Sequence, residues 1–209
     1  MNTLFRQAIM ASALTAVVST AAIAAPAQTP SDFIKTVADG LIGRLKAEHS
    51  QLQNNPSAIN AIVKQNLEPY VDVQAFTRLV MGTYASPQNS TPQQRANFEK
   101  SLRQSLIQNY GTALAKYSNQ SYSIRPYRPS AGAYQVVTLD FIQSGQKTPV
   151  AFQLSEQSNQ WKIRNINVAG IDIGLQFRNQ FASTVQRSGG DLDKAIASFQ
   201  PDANAATKK

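Results

Sequence analysis

The chain has 209 residues, no cysteine, one histidine and a formal charge of +8 at pH 7. Without cysteine there is no disulfide framework, no thiolate nucleophile and no thiolate metal site, so packing must hold the fold. The length suits one domain with a sizeable core, and the excess positive charge favours anionic partners, a solvated basic surface being the simpler reading.

In chain order, residues 1–24 read as a secretory signal peptide. Arg6 precedes an apolar run over residues 9–18, and Ala22-Ile23-Ala24 fits the small-residue cleavage rule. The run is shorter than the ~20 residues that span a bilayer, which disfavours an anchor. Export argues against nucleic acid as the anionic partner and for anionic lipid surfaces or acidic proteins. An exported chain without cysteine points to a bacterial periplasm. A single domain is expected over residues 25–200 and a disordered polar tail over residues 201–209.

Thr29 or Ser31 can cap a helix with Phe33, Val37, Leu41 and Leu45 on one face. Asn54-Asn55-Pro56 ends it and starts a second, with Ile59, Ile62, Val63 and Leu67 apolar. Asp72 can cap a third, carrying Val73, Phe76, Leu79, Val80 and Tyr84. Thr91 and Gln94 form a capping box around Pro92. The long helix behind it carries Phe98, Leu102, Leu106, Tyr110, Ala113, Leu114 and Tyr117 on one face.

The apolar period then falls to two. Tyr122 and Ile124 begin a strand that Pro126 and Pro129 interrupt, and residues 134–142 alternate with Val137, Leu139 and Phe141 on one side. Val150, Phe152 and Leu154, then Trp161 and Ile163, alternate in turn. Short runs separated by turn signals predict about four antiparallel strands in one sheet. Gly170 separates the last strand from a helix with Ile173, Phe177 and Phe181, and Gly189-Gly190 precedes a short helix with Leu192, Ile196 and Phe199. The order predicts an α+β domain with helices on one face of a curved sheet.

Little catalytic chemistry is present. His49, beside Glu48 and Ser50 near a helix end, reads as a surface residue, and no phosphate loop, metal-spaced cluster or nucleophile elbow occurs. Asp172 reads as a carboxylate favoured at a helix N-terminus. Asp140 is expected on the exposed side of its strand. The excess of apolar faces allows two readings: a filled core, or helices and sheet splayed around an apolar cavity with few polar groups at its mouth.

The order of motifs resembles the MlaC family, also called the toluene-tolerance auxiliary family. The matching pieces are Glu68-Pro69-Tyr70-Val71-Asp72 with Phe76 and Gly82; Thr91-Pro92 with Arg95, Phe98 and residues 110–114; and Trp161-Lys162-Ile163 with Val168-Ala169-Gly170 and residues 177–181. Near Gly170 the chain departs from the family's usual pattern: Asn165 and Ala169 stand where acidic residues are common, and Asp172 where serine is common. The resemblance implies a fold related to the NTF2-like cone, with a lipid cavity between sheet and helices. It implies a periplasmic phospholipid carrier moving lipid between an outer-membrane lipoprotein–porin complex and an inner-membrane ABC transporter complex with its substrate-binding subunit. Such a carrier maintains outer-membrane asymmetry, needs no cofactor and is not an enzyme.

The expected lipid-binding positions are Phe76, Val80, Leu106, Tyr110, Leu114, Val137, Leu139, Phe152, Leu154, Ile163, Ile173 and Phe177, with Tyr110 suited to the mouth. Arg178 can hold its helix to the sheet or face a phosphate. Two alternatives stand beside the carrier. NTF2-like folds also host isomerases with an aspartate base and a tyrosine, which Asp140 and Tyr134 imitate. The chain can also be an envelope adaptor without ligand.

Overall fold

A computed structural model describes residues 28–52, 55–115 and 121–202, with the backbone alone for residues 109–115. The expected signal peptide and residues 203–209 lie outside the described residues. Helices α1 (Pro30–Ala47), α2 (His49–Leu52), α3 (Pro56–Asn66), α4 (Val73–Met81) and the long α5 (Pro92–Ala115) precede five strands: β1 (Ser121–Ile124), β2 (Gln135–Gln143), β3 (Gln146–Gln157), β4 (Gln160–Val168) and β5 (Ile171–Asp172). Helices α6 (Ile173–Arg187) and α7 (Leu192–Ser198) follow.

The helices begin where side chains satisfy their free N–H groups. The Thr29 hydroxyl accepts from the Asp32 amide at 3.1 Å, Asn55 from Ala58 at 3.1 Å and Asp72 from Ala75 at 2.9 Å. At α5 the capping box closes both ways: the Gln94 amide donates to the Thr91 hydroxyl and the Thr91 amide to the Gln94 side chain. The short α2 has no sequence signal of its own; it follows the end of α1 at Glu48.

The strands form one open antiparallel meander, in the order β1-β2-β3-β4-β5. The expected four strands are joined by a fifth of two residues, made by a tight return at Ala169 and Gly170. Both have positive φ, 50° and 89°, as a type I′ hairpin turn requires. A bulge at Gln153/Leu154 shifts the register against β4, and bulges bend a sheet.

Apolar side chains gather in three clusters. One joins α4, the first half of α5, α6 and α7; one joins α1 to the sheet; the third joins α1 to α3. Pro201 is buried, and the Asp202 amide donates to Gln180 at 3.0 Å.

Candidate functional site

Register decides which side chains share a face, since alternate residues of a strand point the same way. Tyr122 pairs with Phe141, and Ile124 with Leu139. Val137 pairs with Phe152, and Leu139 with Val150. Val150, Phe152 and Leu154 pair with Val168, Ile166 and Ile163. One face of the sheet is therefore apolar from β1 to β4.

Helix α1 covers part of that face. Phe33, Ile34 and Val37 pack with Val137, Leu139, Leu154 and Ile163, each of those strand residues at most 4% exposed. The remainder is not sealed. Tyr122, Ile124, Phe141, Val150, Phe152, Ile166 and Val168 are all only half-buried, as are Leu106 and Ile107 on α5. A close-packed interior would bury such side chains completely.

A groove between α1 and β1 opens onto this face. It has a volume of about 570 Å³ and is lined by Lys35, Asp39, Ile42, Gly43 and Lys46 of α1 and by Ser121, Tyr122 and Ile124 of β1. That lies within the ~300–1,000 Å³ of small-molecule sites. Tyr122 and Ile124 belong both to the groove and to the apolar face. The polar groups sit at the rim. Asp39 accepts from Lys35 and from the Tyr122 hydroxyl, and these bonds, Lys35's first, hold its carboxyl below the usual range. Burial, then Asp39, pushes the Tyr122 phenol up. Lys46 has no ion-pair partner among the described residues.

The expected binding positions divide between two clusters. Phe76, Val80, Ile173 and Phe177 are buried in the α4–α7 cluster, with Leu106 at its edge. Val137, Leu139, Leu154 and Ile163 are buried between α1 and the sheet, with Phe152 at the edge. Only Leu106 and Phe152 of these keep substantial accessible surface. The side chains of Tyr110 and Leu114 lie outside the described residues. Phe141, Tyr122 and Ile124, which were not among the expected positions, are half-buried on the same apolar face. Phe141 shares the period-two face of Val137 and Leu139, which is the signal that marks it.

Asp140 lies on the outer sheet face, opposite to Leu139, but it is not exposed as expected. It is 6% accessible, because Arg125 lies over it and donates from Nε and Nη2 to its two carboxylate oxygens at 2.9 and 2.7 Å. The isomerase pairing is not assembled: Tyr134 stands six residues from Asp140, about 20 Å along the strand, and its ring stacks with Arg164. Asp172 caps α6 as expected, accepting from the Leu175 amide at 2.8 Å. Asn165, another of the three departures, donates to Asp172 at 2.9 Å and accepts from the Gly174 amide at 3.1 Å. Asn165 and Asp172, two of the three departures, thus satisfy each other. His49 is exposed.

The family model for the MlaC protein matches residues 35–200. The chain is 37% identical over 171 residues to the toluene tolerance protein ttg2D of Pseudomonas putida, covering 81% of this chain and 79% of that protein. It is 24% identical over 181 residues to the intermembrane phospholipid transport system binding protein MlaC of Haemophilus influenzae, covering 84% and 83%. The phospholipid-binding protein from Ralstonia solanacearum, solved in complex with a phospholipid, superimposes with a TM-score of 0.71 at 26% identity, covering 83% of this chain and 98% of that one.

Proposed function

This chain belongs to the MlaC family, and we propose that it is a periplasmic phospholipid carrier, not an enzyme, that exchanges lipid with an outer-membrane lipoprotein–porin complex and an inner-membrane ABC transporter complex. The observation that carries this reading is the apolar sheet face left half-covered at Phe141, Val150 and Phe152. Acyl tails complete the burial that α1 begins, and the head group stays at the groove mouth near Lys35 and Lys46. The similar Ralstonia protein holding a phospholipid supports it.

The energetics suit a shuttle. Burying ~30 methylenes at about 0.8 kcal/mol each contributes on the order of 25 kcal/mol relative to water. A bilayer offers the same gain, so transfer from membrane to protein is nearly balanced. The carrier lowers the barrier to crossing water, and partners must supply direction. Mass spectrometry of lipid extracted from natively purified protein tests the reading. Phospholipid is expected in the extract of native protein and absent from Phe152→Trp or Leu106→Trp, which fill the space. Folded native protein that yields no lipid, even after incubation with phospholipid vesicles, rules the carrier out.

A further inference from the structure

A second cleft, of about 710 Å³, separates α4 from the paired ends of β3 and β4. Ser155 and Gln157 in its wall alternate with Leu154, so the cleft lies on the sheet face opposite the apolar one. Arg78 of α4, Arg164 of β4 and Arg178 of α6 line it. None of these guanidinium groups has a carboxylate within ion-pair distance among the described residues. Two carboxylates share the wall. Asp72 is engaged by the Ala75 amide and by Gln157, and Glu156 is exposed.

Two of the arginines have close neighbours. The Arg164 guanidinium carbon lies 3.7 Å from the centroid of the Tyr134 ring, and its Nε is buried without a hydrogen-bond partner. A buried donor left unsatisfied is unfavourable, and an incoming acceptor would relieve it. Arg178 lies against Gly82, which has φ of +57°; a Cβ there would stand 2.7 Å from the Arg178 Nε. Glycine at this position both adopts the backbone angle and leaves room for the arginine.

Among the described residues the exposed large hydrophobic side chains are Tyr134, Val136 and Leu175, at 38%, 47% and 47%. Tyr134 lines the cleft, Val136 is two residues along the same strand face, and Leu175 is one turn before Arg178 on α6. Arginine and tyrosine at the centre with exposed apolar neighbours is the composition of a protein–protein hot spot. We propose that this face docks a protein partner presenting carboxylates beside apolar side chains, on the side of the sheet away from the apolar hollow. The cleft shares no lining residue with the apolar groove, and its wall of arginines, carboxylates and amides does not suit acyl tails.

The inference rests on the carrier reading for its choice of partners, and its test keeps the two apart. Full-length native protein is titrated against the purified, detergent-solubilised outer-membrane and inner-membrane complexes of the same organism, with bound lipid measured in parallel. Arg78→Glu with Arg178→Glu is expected to weaken binding to at least one complex by about tenfold or more, with a steeper effect at low salt, and to leave lipid content unchanged. Leu175→Ser, an exposed change with little consequence for folding, is expected to weaken it several-fold. Lys64→Glu with Lys100→Glu, the same charge change on α3 and α5, is expected to have no effect. The docking inference fails if native protein binds neither complex, if the arginine reversals bind both as native protein does, or if the control pair weakens binding equally. It also fails if the reversals lose only affinity for phosphatidylglycerol vesicles, which would make the face a membrane surface. Absence of lipid from native protein would instead count against the carrier reading.

Discussion

In the helical core formed by α4 to α7, Phe98, Phe177 and Phe181 are completely buried, and the rings of Phe98, Phe181 and Phe199 lie 4.3 to 5.5 Å apart. On the inner face of the sheet, Phe141 and Phe152 are only half-buried. The first region is closed by its own chain, with α7 and Pro201 covering α6. The second lacks a closing element among the described residues and is tied at its rim by polar contacts instead. Asp39 joins Lys35 of α1 to Tyr122 of β1. Ties of this kind hold a rim without filling the space inside it, which is what a cavity for a movable ligand needs.

Substitutions that truncate a ring should separate the two regions. Phe181→Ala is expected to cost about 3–5 kcal/mol, since it removes a fully buried ring and leaves a cavity. Urea denaturation measures this, and lipid per folded molecule should not change. A loss under about 1 kcal/mol would mean that the helical core is not closed. Phe152→Ala, the counterpart in the open region, is expected to cost only about 1–2 kcal/mol, because no sealed cavity forms, while lipid retention falls. If both variants lost equal stability and neither changed lipid content, the contrast would be gone.

The turn between β4 and α6 joins the two regions, and its effect should be smaller. Asp172→Ala removes the cap of α6 and one partner of Asn165. A loss of about 1 kcal/mol is expected for a cap of this kind, read as a lowered urea midpoint. An unchanged midpoint would show that Asn165 alone, through its bond to the Gly174 amide, is enough to start the helix.

These differences explain what was legible beforehand. Thr29, Asp72, Thr91 and Asp172 cap their helices through neighbours three residues on, so short spacing reveals them. Alternation likewise placed Val137, Leu139 and Phe141 on one face. Nothing local distinguishes Phe76 from Phe152; one is sealed by distant helices and the other is not, and that depends on where the chain returns. The same holds for α2 and β5, too short to carry a period. It holds for Arg78, Arg164 and Arg178, which lie far apart in the chain and meet only in the folded molecule. Asp140 fell between the cases: alternation puts it on the outer face, but its cover by Arg125 comes from the segment after β1.

That ion pair supplies the subtlest test, because it ties the end of β1 to the outer face of β2, in the sheet that carries the open region. Hydrogen bonds from Arg125 hold the Asp140 carboxyl below the ordinary aspartate value, outweighing the opposing effect of burial. A carboxyl with a depressed folded-state pKa stabilises the fold above its unfolded pKa of about 3.9. The contribution is lost as pH falls through the lower, folded value. Native protein should therefore melt higher than Asp140→Asn at pH 7, and the gap should shrink as pH drops below about 4. Phe181 carries no titrating group, so Phe181→Ala should keep a nearly constant deficit over the same range. A gap for Asp140→Asn that stayed constant from pH 7 to pH 3 would show that Arg125 does not stabilise the ionised carboxyl, leaving the backbone ladder and contacts such as Tyr122 with Phe141 to hold β1 to β2.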